Sequence, residues 1–145
     1  MSTVKVDTIQ TTGGASEIAI DKLKGVATAS SISVVAEGGS TTTNLQQGLA
    51  KMWYNGGLND QSIADSINVG SLTDTATGNL TINYTNNMAS VNYSGNCMKQ
   101  AELTNASCTE YMTNEATTST RLELLENSTA IDASNAHAQV HGDLA

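Results

Sequence analysis

The groups in this chain that could transfer a proton or attack a bond are mostly carboxylates, and they are scattered. Asp60, Asp65 and Asp74, or Glu123 and Glu126, are the sets from which a pair for glycosidic cleavage could be drawn. Such a pair works only when the fold holds an acid and a second carboxylate on either side of the scissile bond. Spread over strand and turn positions, these residues read as solvated surface. Ser and Thr are abundant, but no GxSxG elbow presents one of them as a nucleophile. Gly13-Gly14, Gly38-Gly39 and Gly56-Gly57 lack the Lys and the helix of a phosphate loop and read as turns. The expectation is a protein that is not an enzyme, with no catalytic residue and no cofactor.

Metal ligands are equally sparse. His137 and His141 are four apart, so on a strand they share a face, and only a threefold assembly would gather enough imidazoles for an ion. A pair of exposed or hydrogen-bonded histidines is the simpler reading. Cys97 and Cys108 form no CxxC pair and no zinc-ligand spacing with those histidines. They read as free thiols rather than as a bridge, whose Cα separation the sequence does not set. No metal site is expected. The Asn-x-Ser/Thr matches at Asn79, Asn83, Asn92, Asn105 and Asn127 arise by chance in a chain so rich in these residues.

The elements that must position these groups are read from periodicity. From residue 60 onward the apolar period is two: Ile63, Asp65, Ile67 and Val69 fall on one face, then Leu80, Ile82 and Tyr84, then Val91 and Tyr93, then Leu122 and Leu124. The last run sets Ala138 and Val140 against His137, Gln139 and His141. Turn-prone stretches at Thr73–Asn79, at Asn86-Asn87 and from Cys97 to Thr120 separate these runs. Short strands with turn signals and no long helix predict an all-β fold, an antiparallel β-sandwich of jelly-roll-like type, over residues 56–145. Ahead of it, Leu45, Leu49, Met52 and Trp53 at i, i+4, i+7 and i+8, capped by Asn44, predict a short helix over 45–55. That stripe is the candidate oligomer interface. Residues 1–44 read as an extended arm and linker, with Val4, Val6, Ile9, Ile18 and Ile20 as its docking residues, a short strand from Ser30 to Ala36, and a flexible joint from Glu37 to Thr43.

Composition bounds the partners. The 145 residues include one Trp, four Tyr, no Phe and no Pro, and only 14% are charged. So few large side chains give little apolar area to set against about 1–2 kcal/mol of backbone entropy per residue. The chain is therefore expected to draw firmness from identical copies. A net charge of −8 repels a phosphate backbone, and no basic cluster offsets it, so nucleic acid is not an expected partner. The start, Met1 to Asp7, has no apolar h-region, and no run approaches the roughly 18 apolar residues of a membrane span, so assembly in a cytoplasm without membrane insertion is expected.

Ser2-Thr-Val-Lys-Val-Asp-Thr-Ile-Gln10 followed by Gly13-Gly14 resembles the opening of tail-fibre-like proteins of marine bacteriophages, including those of cyanobacteria. Asn44–Asn55, Asp65–Asp74, Gly78–Thr85, Met88–Tyr93 and the ending Val140–Ala145 are similar to their C-terminal domain. The resemblance implies a homotrimeric virion surface protein, assembled in the host cytoplasm, with a β-sandwich head and an N-terminal anchor to other virion proteins of tail or capsid. The short spacing between anchor and head departs from long fibres and leaves a knob or capsid decoration protein without receptor binding as the alternative. Adhesion to a host glycan is the further expectation, with Asn105, Glu110, Tyr111 and Asn114 of the Asn96–Thr120 segment as candidate receptor contacts. A free-standing glycan-binding or depolymerase module is the remaining alternative.

Overall fold

A computed structural model describes residues 32–35, 39–99 and 108–144. Over these the chain is nearly all β and antiparallel: two sheets share one core, and a third, of two strands, is separate from them. The first sheet is built on β3 (Ala50–Gly56), flanked by β4 (Asp65–Ile67) and β11 (Ala136–His141), with β7 (Ser94–Lys99) beyond β11. The second is built on β9 (Ser119–Glu126), flanked by β6 (Asn79–Tyr84) and β8 (Cys108–Thr113), with β5 (Val69–Ala76) beyond β6 and the short β10 (Thr129–Ala130) closing a hairpin on β9. Within these two sheets of the described residues, the earliest strand, β3, pairs with the latest, β11, a jelly-roll trait. Hairpins β3–β4 and β5–β6, each kept within one sheet, are not.

Alternation decides which side of each strand faces the core. Leu80, Ile82 and Tyr84, Leu122 and Leu124, and Ala136, Ala138 and Val140 are all buried, while the residues between them are not. Met52 and Tyr54 of β3 complete the inner faces, with Leu58, Met88 and Ala133 closing the ends. Each fully buried Leu or Ile contributes about 1.5–3 kcal/mol, so the second sheet supplies much of the hydrophobic stabilisation. Cross-sheet polar links add to it. Lys99 of β7 pairs with Glu126 of β9, and the Lys99 N–H donates to Glu110 Oε1 of β8 at 3.4 Å.

Several turns follow from local chemistry. Asn127 and Ser128 both adopt positive φ, 49° and 64°, the pattern of a two-residue I′ hairpin between β9 and β10. Asn68, at φ 59°, is a corner at which one extended stretch leaves the first sheet as β4 and enters the second as β5. Its side chain braces the bend: Oδ1 accepts from Asn86 N at 2.6 Å, and Nδ2 donates to Asn86 O at 3.0 Å.

The structure corrects several of the sequence expectations. The helix predicted over 45–55 is a single turn, α1 (Leu45–Gly48), after which β3 begins. Pairing of β3 on both edges, by β4 and β11, satisfies the backbone of Ala50–Gly56 and buries Met52 and Tyr54 together, which outweighs a spacing that also fits a helix. The run Ile63 to Val69 does not share one face, because the Asn68 corner changes sheets; Ile63 and Ile67 are exposed and Val69 packs on the core. Val91 and Tyr93 lie in an irregular segment, where Val91 is exposed, and β5 runs through the expected turn at Thr73 as far as Ala76. The Cys97–Thr120 stretch holds the edge strands β7 and β8 rather than one loop.

The joint expected at Glu37–Thr43 ends in a strand. β1 (Ser33–Val35) and β2 (Thr42–Asn44) form a separate two-stranded sheet, tied to α1 by the Leu45 N–H donating to Ile32 O at 2.9 Å. The arm residues Val4, Val6, Ile9, Ile18 and Ile20 lie outside the described residues, as does Asn105.

Candidate functional site

The outer face of the first sheet carries a shallow, open concavity with a volume of about 380 Å³. Strand register fixes its floor. In one row Asp65, Asn55, His137 and Met98 stand side by side across β4, β3, β11 and β7. In the next row Ile67, Trp53, Gln139 and Asn96 do the same. Neighbouring strands are about 4.8 Å apart and rows of one face about 7 Å apart, so the three strands lining the groove carry six side chains over about 10 by 7 Å.

The groove exists because the same strands alternate cleanly. Tyr54 and Ala138 point into the core, which turns Trp53, Asn55, His137 and Gln139 outward. Trp53 and Asn55 are partly buried, while Gln139, Asn96 and Met98 are exposed at the rim. Asn55 Oδ1 is buried and has no hydrogen-bond partner in the protein. An acceptor in that state is costly, at about 1–3 kcal/mol, unless something donates to it. No Lys, Arg, Asp or Glu lines the groove, although Asp65 stands at the end of one row.

The far end of β3 is held by a tight fold-back. Tyr54 donates its hydroxyl hydrogen to either Gly57 O or Ser62 O, at 3.1 and 3.0 Å, and burial together with nearby Asp60 pushes its pKa up to about 12. Gly57 N donates to Ser62 Oγ at 3.0 Å, and the Ser62 hydroxyl first, with Ser62 N donating to Asp60 Oδ1 at 3.0 Å next, holds the Asp60 carboxyl below its ordinary range. On the second sheet, burial first and the hydrogen bond to Tyr93 next raise the Tyr84 hydroxyl well above its usual value. Tyr84 and Tyr93 meet edge to face at 6.3 Å.

The residues singled out from sequence separate in space. Asp60 sits in the Tyr54 loop, Asp65 on β4 and Asp74 on β5 of the other sheet. Glu123 is engaged by Thr113 first and Arg121 next, which lower its pKa, and Glu126 by Lys99. Asp74 thus lies in a different sheet from Asp65, and Glu123 and Glu126 are each held by a neighbouring side chain. His137 and His141 do share the outer face of β11, but four residues of strand separate them by about 13 Å, too far for one ion within a chain. Among the described residues no group of three or more His, Cys, Asp and Glu is placed to hold a metal. The Cys97 thiol is free and half-buried, and burial, with Glu110 adding to it, pushes its pKa up to about 11.

The expected oligomer stripe is dispersed: Met52 is fully buried in its own core, Leu45 lies in α1, Leu49 is 54% exposed and Trp53 belongs to the groove. Of the expected receptor contacts, Glu110 and Tyr111 lie on the edge strand β8 and Asn114, at φ 52°, just after it. Tyr111 and Asn114 are exposed there, while Glu110 is partly withdrawn toward Lys99. None of these lines the groove. Sequence reading missed Asn55 and Asn96 as site residues and assigned Trp53 elsewhere; the one usable signal was the alternation of His137 and Gln139 with Ala138. Comparison with protein-family models, with curated proteins and with solved structures finds no match for this chain.

Proposed function

We propose that the chain is a non-enzymatic, tail-fibre-like structural protein of a bacteriophage surface, a homotrimer attached to other virion proteins through its N-terminal arm and contributing to host adhesion. The observation that carries the assembly part is the β1–β2 hairpin. It forms a sheet of its own, and Val34 and Val35 on it are 50% and 57% exposed, with Leu49 just beyond α1 at 54%. A lone two-stranded hairpin is marginal in water, and apolar side chains exposed on both of its faces, Val34 on one and Val35 on the other, favour a protein partner. A sandwich whose acidic side chains are scattered or engaged by neighbouring groups suits a rigid surface part better than a hydrolase.

The test has two arms. Sedimentation of the full chain should give a trimer, and Val34→Asp with Val35→Asp should shift it to monomers with the head still folded by circular dichroism. Gold labelling of intact particles with an antibody to this chain should mark the tail; label on the head shell replaces the fibre reading with a decoration protein, and unlabelled particles remove the virion reading.

A further inference from the structure

We infer that the groove on the outer face of the first sheet is a binding site for a neutral saccharide, with Trp53 as its platform and Asn55, Asn96, His137 and Gln139 as its hydrogen-bonding wall. The assignment deepens the adhesive part of the proposed function and rests on it.

The ligand class follows from the lining. A pyranose ring has a face of C–H groups and an edge of hydroxyls, each both donor and acceptor. The partly buried indole of Trp53 offers a flat apolar surface for the first, and side-chain amides, which both donate and accept, match the second. Gln139 and Asn96 continue the Trp53 row and His137 and Asn55 stand in the adjacent row, so a ring stacked on the indole has polar partners along two of its edges. The footprint of about 10 by 7 Å accommodates one or two sugar rings, and the volume of about 380 Å³ lies in the range of small-molecule sites.

Other occupants fit less well. An anion finds no Lys or Arg in the lining, and a polyanion meets a chain of charge −8. A second copy of the chain would want an apolar centre, whereas here the centre is amide and imidazole, with Met98 and Ile67 at the margins. Asn55 supplies an independent sign of a missing partner. Its buried Oδ1 has none, and Asn55 is among the residues that line the groove. A single shallow site of this kind binds weakly, and repetition in an oligomer multiplies the effect.

Trp53 is the sole tryptophan of the chain, so its emission reports the site directly. The full-length protein is titrated with neutral oligosaccharides of glucose, galactose, mannose and N-acetylglucosamine, with dextran sulfate as the charged comparator. At least one neutral glycan should give a saturable blue shift, and dextran sulfate none. Gln139→Ala, an exposed position that leaves the core intact, should weaken the response about tenfold, and Trp53→Ala should abolish binding measured by calorimetry. Three results overturn the inference: no saturable change with any neutral glycan, a response to dextran sulfate alone, or binding that persists in both variants. Gold-labelled particles with no glycan response would sink this site alone and leave the virion reading standing.

Discussion

Gly56 ends β3 where the chain doubles back, and replacing it with Ala is the sharpest perturbation the fold offers. A Cβ built at this position lies 1.9 Å from the Ser62 carbonyl oxygen and 2.8 Å from the Tyr54 hydroxyl, well inside any permissible contact. The residue is buried and paired with Ala136, so the strand has no room to move and the 57–62 loop must lift instead. Overpacking of this kind costs about 1–3 kcal/mol. Lifting the loop also breaks the bond donated by the Tyr54 hydroxyl and the bond from Gly57 N to Ser62 Oγ, at about 1 kcal/mol each. The total is about 3–5 kcal/mol, a large share of the stability of a small domain. Urea unfolding followed by Trp53 emission, at fixed protein concentration, should place the midpoint about 2 M below that of the unsubstituted chain. Gly48→Ala is the matched control, since its Cβ meets nothing nearer than Thr43 Cγ2 at 4.0 Å, and it should change stability by no more than about 0.5 kcal/mol. A Gly56→Ala midpoint indistinguishable from that of Gly48→Ala would show that the loop does not close over β3.

Removing Lys99 leaves Glu126 without its cation between the two sheets, so Lys99→Ala should destabilise by about 1–3 kcal/mol, the partial exposure of Glu126 keeping the loss below that of a fully buried pair; Lys99→Met should recover part of it, both read by urea unfolding. Asp60 and Glu123 both have depressed pKa values in the folded chain, so the unfolded chain binds more protons as acid is added. Their contribution is complete above the unfolded values of about 3.9 and 4.3 and is lost as pH falls through the lower folded values, so an Asp60→Asn, Glu123→Gln chain should show a flatter stability profile below about pH 4. In a Cys108→Ser background, the Cys97 thiol, with a pKa of about 11, should react with a disulfide reagent at pH 8 about 100-fold more slowly in the folded than in the urea-unfolded chain.

How much of this was legible in the sequence depends on whether one strand or several must be known. Leu80, Ile82 and Tyr84, Leu122 and Leu124, and Ala138 with Val140 announced their strands because one face of each is dry and the other wet, a contrast that needs no partner to be visible. Ala50–Gly56 was ambiguous, since Leu45, Leu49, Met52 and Trp53 satisfy a helical stripe while Met52, Tyr54 and Gly56 satisfy a strand. The tie is broken by β4 and β11, one just downstream and one far along the chain. The Asn68 corner escaped notice because a single Asn with positive φ leaves no periodic trace. The groove was illegible for the same reason as the pairing: Asn55, Asn96 and Gln139 are separated by tens of residues and meet only through register. Asn96 was further hidden by the adjacent Ser94 and Gly95, which read as loop.

The pairing of β3 with β11 also governs when the head can form during synthesis. The strand β3 finds this long-range partner only after Ala136–His141 has been made, and only then do Met52 and Tyr54 share the core with Ala138 and Val140. Contacts this distant along the chain make for slow, cooperative closure, and an interrupted translation product ending before Ala136 would carry an open strand edge ready to pair with a stranger. The first sheet is thereby complete only once β11 has been made.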